Sequence, residues 1–67
     1  MRVTAAHIGC FVRCYYREDY GCMDAVLVDV ADDLAEVYFV GLKVKELIET
    51  STIVAIGPAL TASVPRF

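Results

Sequence analysis

Alternation of apolar and polar positions runs through most of the chain, and period-2 alternation is the signature of strands with one buried face. In Cys10-Phe11-Val12-Arg13-Cys14-Tyr15-Tyr16-Arg17 the two arginines share one parity, which places Cys10, Val12, Cys14 and Tyr16 on the opposite, core-facing side. Glu18-Asp19-Tyr20-Gly21 reads as a turn, with Gly21 free to adopt a positive φ. Met23 to Ala31 forms a second run, nearly all apolar until Asp29, and Ala31-Asp32-Asp33 supplies the next tight connection. In Leu34-Ala35-Glu36-Val37-Tyr38-Phe39-Val40, closed by Gly41, an outward Glu36 sends Val37 and Phe39 inward and leaves Tyr38 outside. Residues 43–49 fit two periods. Val44, Leu47 and Ile48 have helical spacing and Lys45 with Glu49 is an i, i+4 pair, but so short an isolated helix is marginal, and the surrounding strands favour a strand. Thr50-Ser51 reads as a turn, and Thr52-Ile53-Val54-Ala55-Ile56 as a fifth strand stopped by Gly57-Pro58.

Composition supports that reading. Val, Ile, Thr, Tyr and Phe make up 25 of the 67 residues, the types that pack well on a pleated surface. Five short strands in so small a chain predict an all-β, five-stranded small barrel, partly open, because curling the sheet limits the unpaired edges. The expected organisation is an N-terminal extension over 1–7, the barrel over 8–57, and a C-terminal tail or arm over 58–67. Hydrophobic residues account for 58% of the chain, above the ~45–50% of an average globular sequence. In a chain whose own core is small, that surplus predicts an apolar surface shared in a homo-oligomer. An arm from Pro58 exchanged between copies is one way to bury Leu60, Val64 and Phe67.

Several residue patterns resemble the Tudor family. Ile8-Gly9 precedes a strand ending in an aromatic; Glu18-Asp19-Tyr20-Gly21-Cys22 is an acidic-glycine turn; Ala25 to Val30 is a strand with an inward alanine; Glu36 to Gly41 ends in aromatic-x-Gly. The resemblance covers about residues 8 to 57. It implies a small barrel that reads methylated lysine or arginine through an aromatic box, whose electron-rich faces attract a bulky cation. On that pattern Tyr16 and Phe39 occupy two of the box positions, while the other two fall at Asp24 and Leu42. Tyr20 and Asp24 would border a cationic groove.

Charge narrows the partners. The net charge is −3, and between Glu18 and Glu36 there are seven acids and no base. Such a segment repels nucleic-acid phosphates and suits a cationic partner such as a Lys- or Arg-rich peptide. Arg2, Arg13, Arg17, Lys43 and Lys45 would have to share one face for the alternative, a nucleic-acid-associated barrel. No run of about 20 uncharged apolar residues is present, so no membrane partner is expected. The N-terminal residues lack the apolar block of a signal peptide, which makes the cytoplasm the expected location.

Candidate chemistry is sparse. His7, Cys10, Cys14 and Cys22 are the soft-ligand set for a zinc staple, but Cys10 and Cys14, four apart on a strand, lie about 13 Å from each other. Buried thiols with a surface-exposed His7 are the simpler expectation, with no metal and no cofactor. The lone histidine precedes the first strand, the glycines at 9, 21, 41 and 57 are isolated, and no serine sits in a nucleophile elbow. The expected function is a non-enzymatic protein- or peptide-interaction module. An oligomeric SH3-like enzyme with a shared pore is the remaining alternative. The expected contact residues are Tyr15, Tyr16, Tyr20, Asp24, Tyr38 and Phe39, tyrosine supplying large, stiff, amphipathic contact area.

Overall fold

The computed structural model describes residues 3–17 and 21–59. A short 3-10 turn, Ala5–His7, leads into strands β1 (Cys10–Arg17), β2 (Gly21–Ala31), β3 (Leu34–Phe39), β4 (Val44–Glu49) and β5 (Ile53–Ala59), with a second 3-10 turn, Thr50–Thr52, before the last. The strands form one antiparallel sheet in the order β4-β3-β2-β1-β5, open between β4 and β5. Residues 43–49, which fit both a helix and a strand, therefore resolve as strand, held by pairing of Val44 through Glu49 with Phe39 through Leu34. Tertiary pairing supplies what local propensity leaves undecided.

The inner face carries the core: Val12, Cys14, Ala25, Leu27, Ala35, Val37, Phe39 and Ile53, joined by Val3 from ahead of the first 3-10 turn. Parity predicts most of this set, with Val37 and Phe39 inward and Glu36 and Tyr38 outward. Beta-bulges explain where simple alternation fails. Val28 is an extra residue between the pairs Leu27↔Val37 and Asp29↔Glu36, so Val30 rejoins the inner face. The Asp29 carboxylate accepts a hydrogen bond from the Val30 N–H at 2.8 Å beside this bulge. Val26 points to the outer face yet is fully buried, flanked by its direct cross-strand neighbours Phe11 and Tyr38. β2 is the central strand, covered on both sides at this level, which accounts for its nearly unbroken apolar run.

Two expectations are corrected. The fifth strand is not stopped at Gly57-Pro58 but runs on to Ala59, with a register shift opposite Cys10–Val12 absorbing the extra residues. Proline is tolerated there because β5 is an edge strand. His7 is half-buried, not a surface residue: its Nδ1 accepts the Thr4 N–H at 3.0 Å, while Thr4 Oγ1 accepts the Ala6 N–H at 3.3 Å. This reciprocal cap ties the first turn down. Gly9 follows at φ 91° and donates its N–H to the Leu27 carbonyl at 2.8 Å, joining the turn to β2.

The connections differ in how they handle backbone strain. Gly21 takes φ 64°, the conformation expected of it; the turn residues Glu18, Asp19 and Tyr20 before it lie outside the described residues. The β2–β3 hairpin has Asp32 at φ 56°, which a short polar side chain tolerates. In the β3–β4 loop the left-handed residue is Lys43, at φ 58°, and not Gly41. The Leu42 and Lys43 N–H groups both donate to the Phe39 carbonyl, at 3.1 and 2.7 Å.

Candidate functional site

A groove in the outer surface lies over the β2–β3 hairpin. Residues paired across strands point to the same side of a sheet. The row Asp29↔Glu36↔Leu47 and the next row Ala31↔Leu34↔Glu49 therefore form a small grid of alternating acidic and apolar side chains across β2, β3 and β4. With the hairpin residues Asp32 and Asp33, Asp29, Ala31, Leu34, Glu36 and Leu47 of this grid line a shallow groove of about 640 Å³. Leu47 is 65% exposed, the most exposed of the large hydrophobic side chains, and Leu34 is also exposed. Asp29 and Glu36 stand directly opposite one another, an unfavourable placement for two carboxylates. A second hollow continues around the end of the hairpin, lined by Asp33, Leu34, Glu49, Thr50 and Ser51. There the Thr50 N–H donates to the Asp33 carbonyl at 2.8 Å and pins the turn before β5 to the hairpin. The arrangement offers negative charge around apolar side chains. A cation with an apolar stem fits both.

The six residues predicted from the sequence do not converge on this groove. Tyr16 and Phe39 do meet, their ring centroids 4.5 Å apart at 46°. They meet on the inner face, where Phe39 has no exposed surface, so the pair packs the core and its faces do not form an open box. Asp24 lies on the opposite face of the sheet, exposed, with its Oδ1 3.6 Å from Arg13 Nε. Leu42, the remaining box position, packs against the inner cluster. Tyr15 is 49% exposed on the outer side of β1, opposite Cys22, and Tyr38 is half-buried on the outer side of β3 between Val26 and Lys45. Tyr20 lies outside the described residues.

Sequence reasoning identified the acidic middle of the chain and the outward Glu36 but missed Leu34 and Leu47. The outward direction of Leu47 depends on residues 43–49 being a strand, and a sequence that fits both periods does not fix that direction. Once the strand is granted, the alternation Glu46-Leu47-Ile48 gives it.

The thiols are all free: Cys10 half-buried, Cys14 buried and Cys22 exposed. Burial, with smaller contributions from Cys22 and Asp24, pushes the Cys14 thiol from 9.0 up to about 11, so it stays protonated at neutral pH. Its Sγ–H donates to the Met23 carbonyl at 3.8 Å. Among the described residues no group of three or more His, Cys, Asp or Glu side chains is placed to hold a metal ion. None of their helices is long and apolar enough to cross a membrane. Among the described residues the basic side chains do not form a continuous stripe: Arg13 on β1 and Lys45 on β4 are separated by β2 and β3, with Asp24 beside the first.

No protein-family model matches the chain, and neither a curated protein nor a solved structure shows significant similarity to it. The geometry of the sheet and its grooves is thus the basis for a functional reading.

Proposed function

We propose that the chain is a non-enzymatic interaction module, an SH3-like small barrel left open along one side, that self-associates and takes a cationic, partly apolar protein segment in the groove over the β2–β3 hairpin. Support for the barrel reading comes from the return of β5 to pair with β1 after a meander of four strands, and from bulges that curl the sheet. The observation that carries the binding reading is the placement of Asp29 opposite Glu36 beside the exposed Leu47. Two opposed carboxylates cost stability in the free protein, and an arriving lysine or arginine removes that cost while its aliphatic stem covers the leucine. Tyr38, two residues from Glu36 on the same face of β3, and Tyr15 on β1 extend the contact surface. The nucleic-acid alternative is opposed by the same carboxylates.

The test is a fluorescence-anisotropy titration with a labelled peptide of alternating lysine and leucine, roughly ten residues long. Binding is expected at ~50 mM salt and should weaken steeply by ~200 mM. Asp29→Asn with Glu36→Gln should weaken binding about tenfold while leaving the fold slightly more stable, by a few tenths of a kcal/mol up to ~1 kcal/mol. Failure of the peptide to bind at low salt, or equal binding by the double variant, overturns the assignment of this groove.

A further inference from the structure

In an open sheet the end strands are paired on one side only, and β4 is one of them. Its six pairs with β3 follow one another without a register shift, so its free edge is regular from Val44 to Glu49. Pairing with Tyr38, Glu36 and Leu34 places Lys45, Leu47 and Glu49 together on the outer face, and all three are exposed. Leu47 is the most exposed large hydrophobic side chain among the described residues. Among those residues the ion pair is Arg13 with Asp24, so neither Lys45 nor Glu49 has an ion-pair partner there; the Glu49 carboxylate accepts the Ser51 hydroxyl at 3.4 Å.

Charges on an edge strand keep another chain away when that chain brings like charges to them. An antiparallel two-fold contact, however, sets residue i of one copy against residue j of the other. With the axis at Leu47, Lys45 of each copy faces Glu49 of the other, and the two leucines meet at the centre. On the inner face Glu46 then faces Ile48, so no two acids are opposed. Moving the axis to Glu46 opposes two glutamates, and moving it to Lys45 opposes two lysines. The two Glu36 side chains, in the row of the leucines, are three strand spacings apart, about 14 Å, which exceeds a Debye length of about 10 Å at ~0.1 M salt.

We propose that two copies of the chain pair antiparallel through β4, with the axis at Leu47, so that one sheet continues across both. This rests on the self-association in the reading above and names its surface. Pairing lies in the plane of the sheet, so Asp29, Glu36 and Leu47 stay on the outer face and the two hairpin grooves become one, floored by the paired leucines.

Light scattering after size exclusion, over a concentration series of the whole chain, should show the wild type as a dimer. Lys45→Glu and Glu49→Lys should each raise the dimer dissociation constant about tenfold, with an unchanged far-ultraviolet spectrum, since each turns two attractive pairs into two repulsive ones. An equimolar mixture of the two variants should recover the wild-type constant, because every acidic position of one then meets a basic position of the other. Within one copy the two residues are four positions apart on a strand, roughly 13 Å, so recovery on mixing reads contact between copies. Glu49→Lys also moves the net charge of −3 toward zero, which would tighten an association governed by net charge alone, so its weakening is specific to this pairing. A wild type that stays monomeric throughout removes both this proposal and the self-association reading. A dimer that neither variant weakens, or whose variants show no recovery on mixing, retains self-association and overturns the β4 assignment.

Discussion

Phe39 separates a packing role from a ligand-binding one, and the structure gives the size of the difference. Its ring is completely shielded, lies against Tyr16 at a centroid distance of 4.5 Å, and belongs to the cluster with Val12, Leu27 and Val37. Truncating a buried phenylalanine to alanine costs about 3–5 kcal/mol, from lost transfer free energy plus the cavity left behind. The net stability of a core in this size class is itself only ~3–5 kcal/mol. Phe39→Ala should therefore leave the chain largely unfolded at 25 °C, visible as loss of the cooperative thermal transition by circular dichroism. Phe39→Leu keeps more of the volume and should cost on the order of 1–2 kcal/mol, since it retains an apolar side chain that can repack. At about 4–8 °C per kcal/mol for a domain of this length, that is a clear but survivable drop in melting temperature. A cycle combining Phe39→Leu with Tyr16→Leu should show a coupling of about 0.5–1.5 kcal/mol from the ring–ring contact. The reasoning is refuted by a Phe39→Ala variant that melts within a degree or two of the wild type and loses only peptide binding, because the ring would then be serving a ligand and not the core.

Two further predictions concern stability alone. The Cys14 thiol titrates near 9.0 when unfolded and near 11 when folded, so above pH 9 the unfolded chain releases a proton that the folded one retains; stability from this group is intact below pH 9 and falls through the window up to about 11, by at most ~1.4 kcal/mol per pH unit. Urea melts at pH 8 and pH 10.5 should show a smaller drop for Cys14→Ala than for the wild type, and an equal drop would sink the assignment. Lys43 holds φ 58°, where a side chain costs roughly 1–2 kcal/mol, against about 0.5–1 kcal/mol of extra chain entropy for glycine. Lys43→Gly should accordingly raise the urea midpoint slightly, whereas Gly41 does not hold a positive φ and Gly41→Ala should leave the midpoint nearly unchanged, with no atom within 4 Å of the added methyl.

The strand pattern was legible because β1 and β3 alternate with period two, and a period-two sequence has only one way to bury a face. Arg13 against Val12 and Cys14, and Glu36 against Val37, decide those faces before any pairing is known. β2 was harder, since a strand covered on both sides shows no alternation, and nothing local marks Val28 as the bulge that returns Val30 to the core. The site was less legible than the fold. Tyr16 and Phe39 were correctly brought together, yet parity alone does not distinguish an open aromatic pair from a sealed one. Asp24 alternates with the inward Met23 and Ala25 on β2 and so falls on the other side of the sheet. The grid of Asp29, Glu36 and Leu47 required the registers of two hairpins at once. The β2–β3 register passes through the bulge, and the β3–β4 register passes through a loop whose left-handed residue is Lys43 and not the nearby Gly41.

Surplus hydrophobicity in a short chain raises the question of where it is placed, and the sheet order answers it. Part is absorbed by β2, whose central position buries Val26 on the face opposite the core. Part of the exposed remainder lies toward the two margins: Leu34 and Leu47 at the β3–β4 side, Val54 at the β5 side. These exposures are not equivalent. Leu47 stands opposite Glu36 and between Lys45 and Glu49 on its own strand face, so its apolar surface is framed by charge. Val54 has no charged neighbour along β5, so its apolar surface is not.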